Sequence, residues 1–144
     1  MTRFTPQYCT VAVLLLLFTA IQVQAQAQSR EQNLDHQHVL TQKLSDPGLK
    51  DYKLSSITLE VAPGFTDTRA HRHNAELFGY VLQGRVEIKL EDRPLQTVEA
   101  GEMFYEPRNI LHTILRNLDE ENPAKILVMF IVKEGRSTFI PEYQ

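Results

Sequence analysis

The chain is predicted to be an all-β, single-domain sandwich or barrel. Short stretches of strand character recur at intervals of about eight to twelve residues, punctuated by Gly and Pro. Several alternate polar with apolar side chains, the period-two signature of a strand with one face on a core. No stretch carries a convincing helical period.

Taken in order, Gln26 to Gln37 is polar and free of turn signals, and reads as a linker or arm. Val39-Leu40-Thr41 is a candidate first edge strand, closed by the turn signal Asp46-Pro47-Gly48. Leu54 to Val61 alternates and ends at Pro63-Gly64. Leu77 to Leu82 is apolar and aromatic, and Gln83-Gly84 turns it back. Val86, Ile88 and Leu90 then alternate with Arg85, Glu87 and Lys89, an amphipathic strand bounded by the loop Glu91-Asp92-Arg93-Pro94. Leu95 to Val98 leads to Ala100-Gly101, and Met103-Phe104-Tyr105 precedes Pro107. Leu111 to Leu115 is followed by an acidic loop, Asp119 to Pro123. Ile126 to Val132 is a continuous apolar run, expected to be a central strand buried on both faces.

The N-terminal stretch is expected to lie outside the fold. Arg3, an apolar run from Val11 to Ile21 and the small residues around Ala25 and Ala27 match a secretory signal peptide. The run is shorter than the roughly 20 residues of a membrane span. The predicted organisation is a signal peptide over 1–27, a polar arm over 28–38 and the barrel over 39–144, with the product in the periplasm or outside the cell. The single cysteine, Cys9, falls in the leader, so the mature chain forms no disulfide and relies on its core. Loss of Arg3 takes the formal charge from −3 to −4. That mild acidity argues against a nucleic-acid partner, which needs a basic patch. No apolar segment after Ala27 is long enough to cross a membrane.

Chemistry is concentrated in histidine. His71 and His73, at i and i+2, share a face if they lie on a strand, and His112 comes from a later strand. Three neutral imidazoles suit Fe, Mn, Ni, Zn or Cu and leave coordination positions open. The alternative is a set of rim histidines bonded to backbone carbonyls. His36-Gln37-His38 has the same spacing but sits in the polar arm. No nucleophile–base pair, phosphate loop or dinucleotide fingerprint is present. Tyr80, Phe104 and Glu106 are candidates to line a substrate pocket, and Arg69 and Arg72 flank the histidines.

These residues carry a resemblance. Gly64-x6-His71-x-His73 … Gly84, ending in Tyr80-Val81-Leu82-Gln83-Gly84, resembles the first motif of the cupin superfamily. Gly101-x5-Pro107-x4-His112 … Asn117, opening at Ala100-Gly101-Glu102, resembles the second. The resemblance implies a double-stranded β-helix, the small jelly-roll barrel of type-2 and RmlC-like cupins. It implies a divalent metal on His71, His73 and His112, with a glutamate from the first motif as fourth ligand. It further implies a small-molecule ligand and, frequently, a homodimer. Oxygenation or isomerisation of a small organic substrate follows if the barrel is catalytic; a non-catalytic binding module for a small molecule or sugar is the alternative. The chain departs from the pattern in places. Leu77 occupies the usual glutamate position, with Glu76 one residue earlier and reaching the metal only across a bulge. Asn109 replaces a glycine and accepts the same left-handed backbone. Arg116 takes the place of the usual asparagine, displaced by one to Asn117, and the spacer before His71 is one residue longer than the family norm.

Overall fold

The computed structural model describes residues 33–142; the predicted signal peptide lies outside them. Eleven strands occupy most of this span: β1 Leu34–Lys43, β2 Tyr52–Val61, β3 Thr66–Asp67, β4 His71–Arg72, β5 Glu76–Gln83, β6 Arg85–Leu90, β7 Gln96–Glu99, β8 Met103–Glu106, β9 Leu111–Asn117, β10 Ala124–Lys133 and β11 Ile140–Pro141. A turn of 3-10 helix, Pro47–Leu49, joins β1 to β2, with Asp46 accepting from the Gly48 N–H at 2.7 Å as its cap. Among the described residues no helix is long and apolar enough to cross a membrane.

The strands form two antiparallel sheets, one in the order β1-β2-β10-β5-β8 and the other β11-β4-β9-β6-β7, with β3 also on β9. Neighbours in each sheet come from distant parts of the chain, the winding of a double-stranded β-helix. Inward rows from both sheets meet in one core: Val61, Leu77, Val81, Ile126, Val128, Phe130 and Val132 from the first, Val86, Ile88, Leu90, Val98 and Leu115 from the second. The predicted alternation of β6 is therefore real. The first strand is longer than Val39–Thr41 and begins at Leu34, taking in His36 and His38. It forms a solvent-exposed edge with a register shift between His38 and Leu40.

β10 departs from expectation. Only one face is fully buried; its other residues, including Leu127, Met129 and Ile131, are half-buried on the outer face of the five-stranded sheet. There they continue across the register into Tyr80 and Phe78 of β5, then Met103 and Tyr105 of β8. The side chains of those flanking strands give β10's outer row its partial cover.

Two details tie the loops to the barrel. Asn109 adopts φ 63°, the left-handed backbone expected of it. Its N–H donates to the His73 carbonyl at 2.8 Å and its carbonyl accepts from Arg72 Nη1 at 2.7 Å, so this turn is bound to the histidine segment. Asn117 is buried, and its Nδ2 donates to the carbonyls of Val61, Ala62 and Asn122 at 3.1, 3.1 and 2.9 Å. It ties the end of β9 to the end of β2 and to the loop before β10.

Candidate metal centre

The three histidines converge. β4 pairs with β9 so that His71 and His112 are direct cross-strand partners. His73 lies just beyond β4, which is only two residues long, and is held in place by its neighbours. One ligand nitrogen from each of the three lies within 4.8 Å of the others. The predicted trio is thus one cluster, buried at His73 and His112 and half-buried at His71.

Backbone carbonyls fix which ring nitrogen faces inward. His71 Nδ1 lies 2.8 Å from the Arg69 carbonyl and His73 Nδ1 lies 3.0 Å from that of Thr138. On the third ring it is His112 Nε2 that reaches a carbonyl, Ile114, at 2.8 Å. A carbonyl only accepts, so these nitrogens carry the hydrogens and the opposite nitrogens carry lone pairs. His71 Nε2 and His73 Nε2 face each other at 3.2 Å. Donors on neighbouring positions of a metal with bonds of about 2.1 Å stand roughly 3 to 3.4 Å apart, so this pair has the spacing of adjacent ligands.

Burial holds the His71 imidazole down to about 4, reinforced by the neighbouring rings of His112 and His73 and only partly offset by the Arg69 carbonyl. Burial lowers His73 too, against the opposing pull of Glu106. Both rings therefore stay neutral at physiological pH, the form that binds metal.

Glu106 stands across from the rings. It is 1% exposed, with Oε1 3.2 Å from His112 Nδ1 and Oε2 3.8 Å from His73 Nε2. Burial pushes its carboxyl up, but His112, His73 and His71 outweigh this and hold it below the ordinary glutamate range. Burial likewise opposes charge on His112, and Glu106 beside it outweighs that and raises the imidazole. At 3.2 Å the contact lacks hydrogen-bond alignment, and His112 Nδ1 and Glu106 Oε2 are both buried without a hydrogen-bond partner. Inward lone pairs and an orphaned carboxylate oxygen are what a divalent cation satisfies, so the residues present fit a metal.

The other predicted site residues divide. Phe104 is buried in the core beneath Gly79, where a Cβ would come within 2.0 Å of its ring. Tyr80 follows the opposite parity from the inward Leu77 and Val81, so it belongs to the outer face and lines no interior pocket. Glu76 also points outward, where its carboxylate accepts from the Tyr105 hydroxyl; there is no bulge at this point to bring it to the histidines. Arg72 pairs with Glu142 at 3.0 Å and Arg69 with Asp67 at 2.6 Å, so both act as braces of the histidine segment.

The C-terminal segment was silent in the sequence. Phe139 stacks on His71 with ring centroids 4.8 Å apart, and Phe130 lies 5.5 Å from His73. Together with the Thr138 carbonyl they form an apolar wall beside the imidazoles. Apart from the aromatic at 139, no periodicity or motif marks this segment.

A barrel of this winding, with histidines from two separate strands aimed inward, defines the class of double-stranded β-helix proteins. The model of the cupin domain family matches residues 57–130, more than half of the chain, and the chain belongs to that family. No curated protein matches it. Among solved structures it is similar to KdgF from a Halomonas species, at 21% identity over 71% of this chain and 82% of that one, with a TM-score of 0.56. It is similar to an RmlC-like cupin from Shewanella frigidimarina, at 14% identity over 72% of this chain and 79% of that one, TM-score 0.52. It is also similar to the DMSP lyase DddQ from Ruegeria pomeroyi, at 19% identity over 75% of this chain and 63% of that one, TM-score 0.54. At these identities the likeness is one of fold.

Proposed function

We propose that this protein is an exported cupin that holds one divalent transition metal on His71, His73 and His112 and acts there on a small organic molecule. The observation that carries the reading is the convergence of three imidazoles whose inward nitrogens are left with lone pairs by backbone carbonyls behind them. When bound, such a metal supplies Lewis-acid polarisation and, if redox-active, a route to oxygen chemistry. The chain's own residues do the rest. The carbonyls of Arg69, Thr138 and Ile114 hold the rings in their binding tautomers, and Phe139 and Phe130 pack against His71 and His73. Oxygenation or isomerisation is the reaction class this donor set fits, because open positions remain for substrate. Export is supported by the leader-like composition of residues 1–27, and a second copy by the apolar outer row of the five-stranded sheet.

Elemental analysis of protein matured in its own host tests the metal. The expected result is about one equivalent per chain in the wild type and almost none in His71→Ala, since a structural three-nitrogen site loses its metal with a ligand. Equal, negligible metal in both overturns the reading.

A further inference from the structure

The geometry points to Glu106 as a fourth protein ligand of this centre, delivered from β8 rather than from the segment that carries His71 and His73. The inference rests on the three-histidine reading and deepens it.

The register explains how the carboxylate arrives. β8 lies against β5 with Leu77 opposite Glu106 and Gly79 opposite Phe104. Cross-strand partners point to the same face of a sheet, so Glu106 enters the barrel where Leu77 does. Pro107 ends the strand immediately afterwards, which leaves Glu106 as its last inward residue.

Energetics say that the carboxylate needs a cation. A buried carboxylate without compensation is strongly destabilising. No lysine or arginine among the described residues forms an ion pair with Glu106; its recorded partners are His73 and His112. Its Oε2 has no hydrogen-bond donor. Nor can it act simply by orienting His112. In the neutral, metal-binding form of that ring the hydrogen is on Nε2, committed to the Ile114 carbonyl, so Nδ1 then meets Glu106 as lone pair against lone pair. A divalent ion between them satisfies both atoms, and the two carboxylate oxygens lie toward His112 and His73, the sides where the nitrogens stand.

The test uses the mature protein, from Gln28 onward, stripped of metal and titrated with Co2+ alone, and followed by visible absorption and infrared difference spectra. In the wild type, Co2+ is expected to shift a carboxylate stretching band as it binds. Glu106→Gln is expected to lower Co2+ affinity by about 10- to 100-fold and alter the visible bands. The exchange Leu77→Glu with Glu106→Leu returns a carboxylate to the same face from the opposite strand. It is expected to recover most of that affinity, which a loss caused by misfolding would not do. Wild-type affinity and bands in Glu106→Gln, or no carboxylate shift in the wild type, overturn the inference and leave the three-histidine site standing. Failure of the wild type to take up Co2+ at all removes both. If Glu106→Gln does not fold, the wild-type infrared spectrum decides alone.

Discussion

Asp67 shows how one residue can set the geometry of a neighbour. Its carboxylate accepts from the Arg69 backbone N–H at 3.0 Å and from Arg69 Nε at 2.9 Å. That locks the loop whose next carbonyl, from Arg69, fixes the His71 tautomer. Burial pushes the Asp67 carboxyl up, but the bonds from Arg69 outweigh it and hold it below the ordinary value. A depressed carboxyl stabilises the fold above its unfolded pKa and loses that contribution as pH falls through the folded value. Asp67→Asn is therefore expected to cost about 1 kcal/mol at pH 7, after allowance for the half-exposed Arg69. The deficit is expected to be smaller at pH 3 than at pH 7, as the carboxyl begins to protonate. Urea unfolding of both proteins at the two pH values checks it, and an equal deficit at both counts against the ion pair. At this scale the sequence was partly legible. The three histidines were found because histidine is scarce and their setting distinctive. Tyr80 was misplaced although counting by twos from Leu77 already put it on the opposite face. Glu106 was named as a pocket candidate, but its place beside His73 and His112 was not legible, because strand register cannot be read from a single strand.

At the scale of elements, the close approach of β5 and β8 is made by an absence. Gly79 lies opposite Phe104, whose ring occupies the space where a side chain at 79 would be. Gly79→Ala is expected to destabilise by about 1–3 kcal/mol through overpacking. Phe104→Leu in the same chain is expected to recover part of that loss, giving a coupling that a thermal-unfolding double-mutant cycle measures. Purely additive losses would show that the ring is not the obstacle. The long strands were legible because alternation runs through them, as in β6. The two-residue strands β3, β4 and β11 were not, since a pair of residues has no period. Yet β4 is the element that sets His71 opposite His112. The structure brings the His71 and His73 rings into one cluster, but through a two-residue strand and the irregular residue after it rather than a continuous strand.

For the whole molecule, the feature with the widest consequence is the outer face of one sheet. The outer face of the β1-β2-β10-β5-β8 sheet carries Phe78, Tyr80, Leu127, Met129 and Ile131, with Met103 and Tyr105 exposed at its margin. A contiguous apolar face of this kind is unusual on a monomer. Light scattering on the mature protein is expected to give twice the chain mass, and Met129→Glu to return it to the monomer. A monomer at high concentration in the wild type removes the proposed dimer. The all-β class was legible from turn signals and alternation, and the jelly-roll winding only through the resemblance carried by the two histidine motifs. The half-buried outer row of β10 was not, because a continuous apolar run reads the same whether its second face meets the core or the outside.

The wall beside the imidazoles is built from the end of the chain. Thr138 grips His73, Phe139 covers His71, and Ile140 and Pro141 zip onto Arg72 and His71. One cut before Thr138 would therefore take away the carbonyl behind His73, the ring over His71 and the strand against β4 together. Proteolytic loss of this segment is expected to bare the imidazoles while leaving the pairing of the long strands in place.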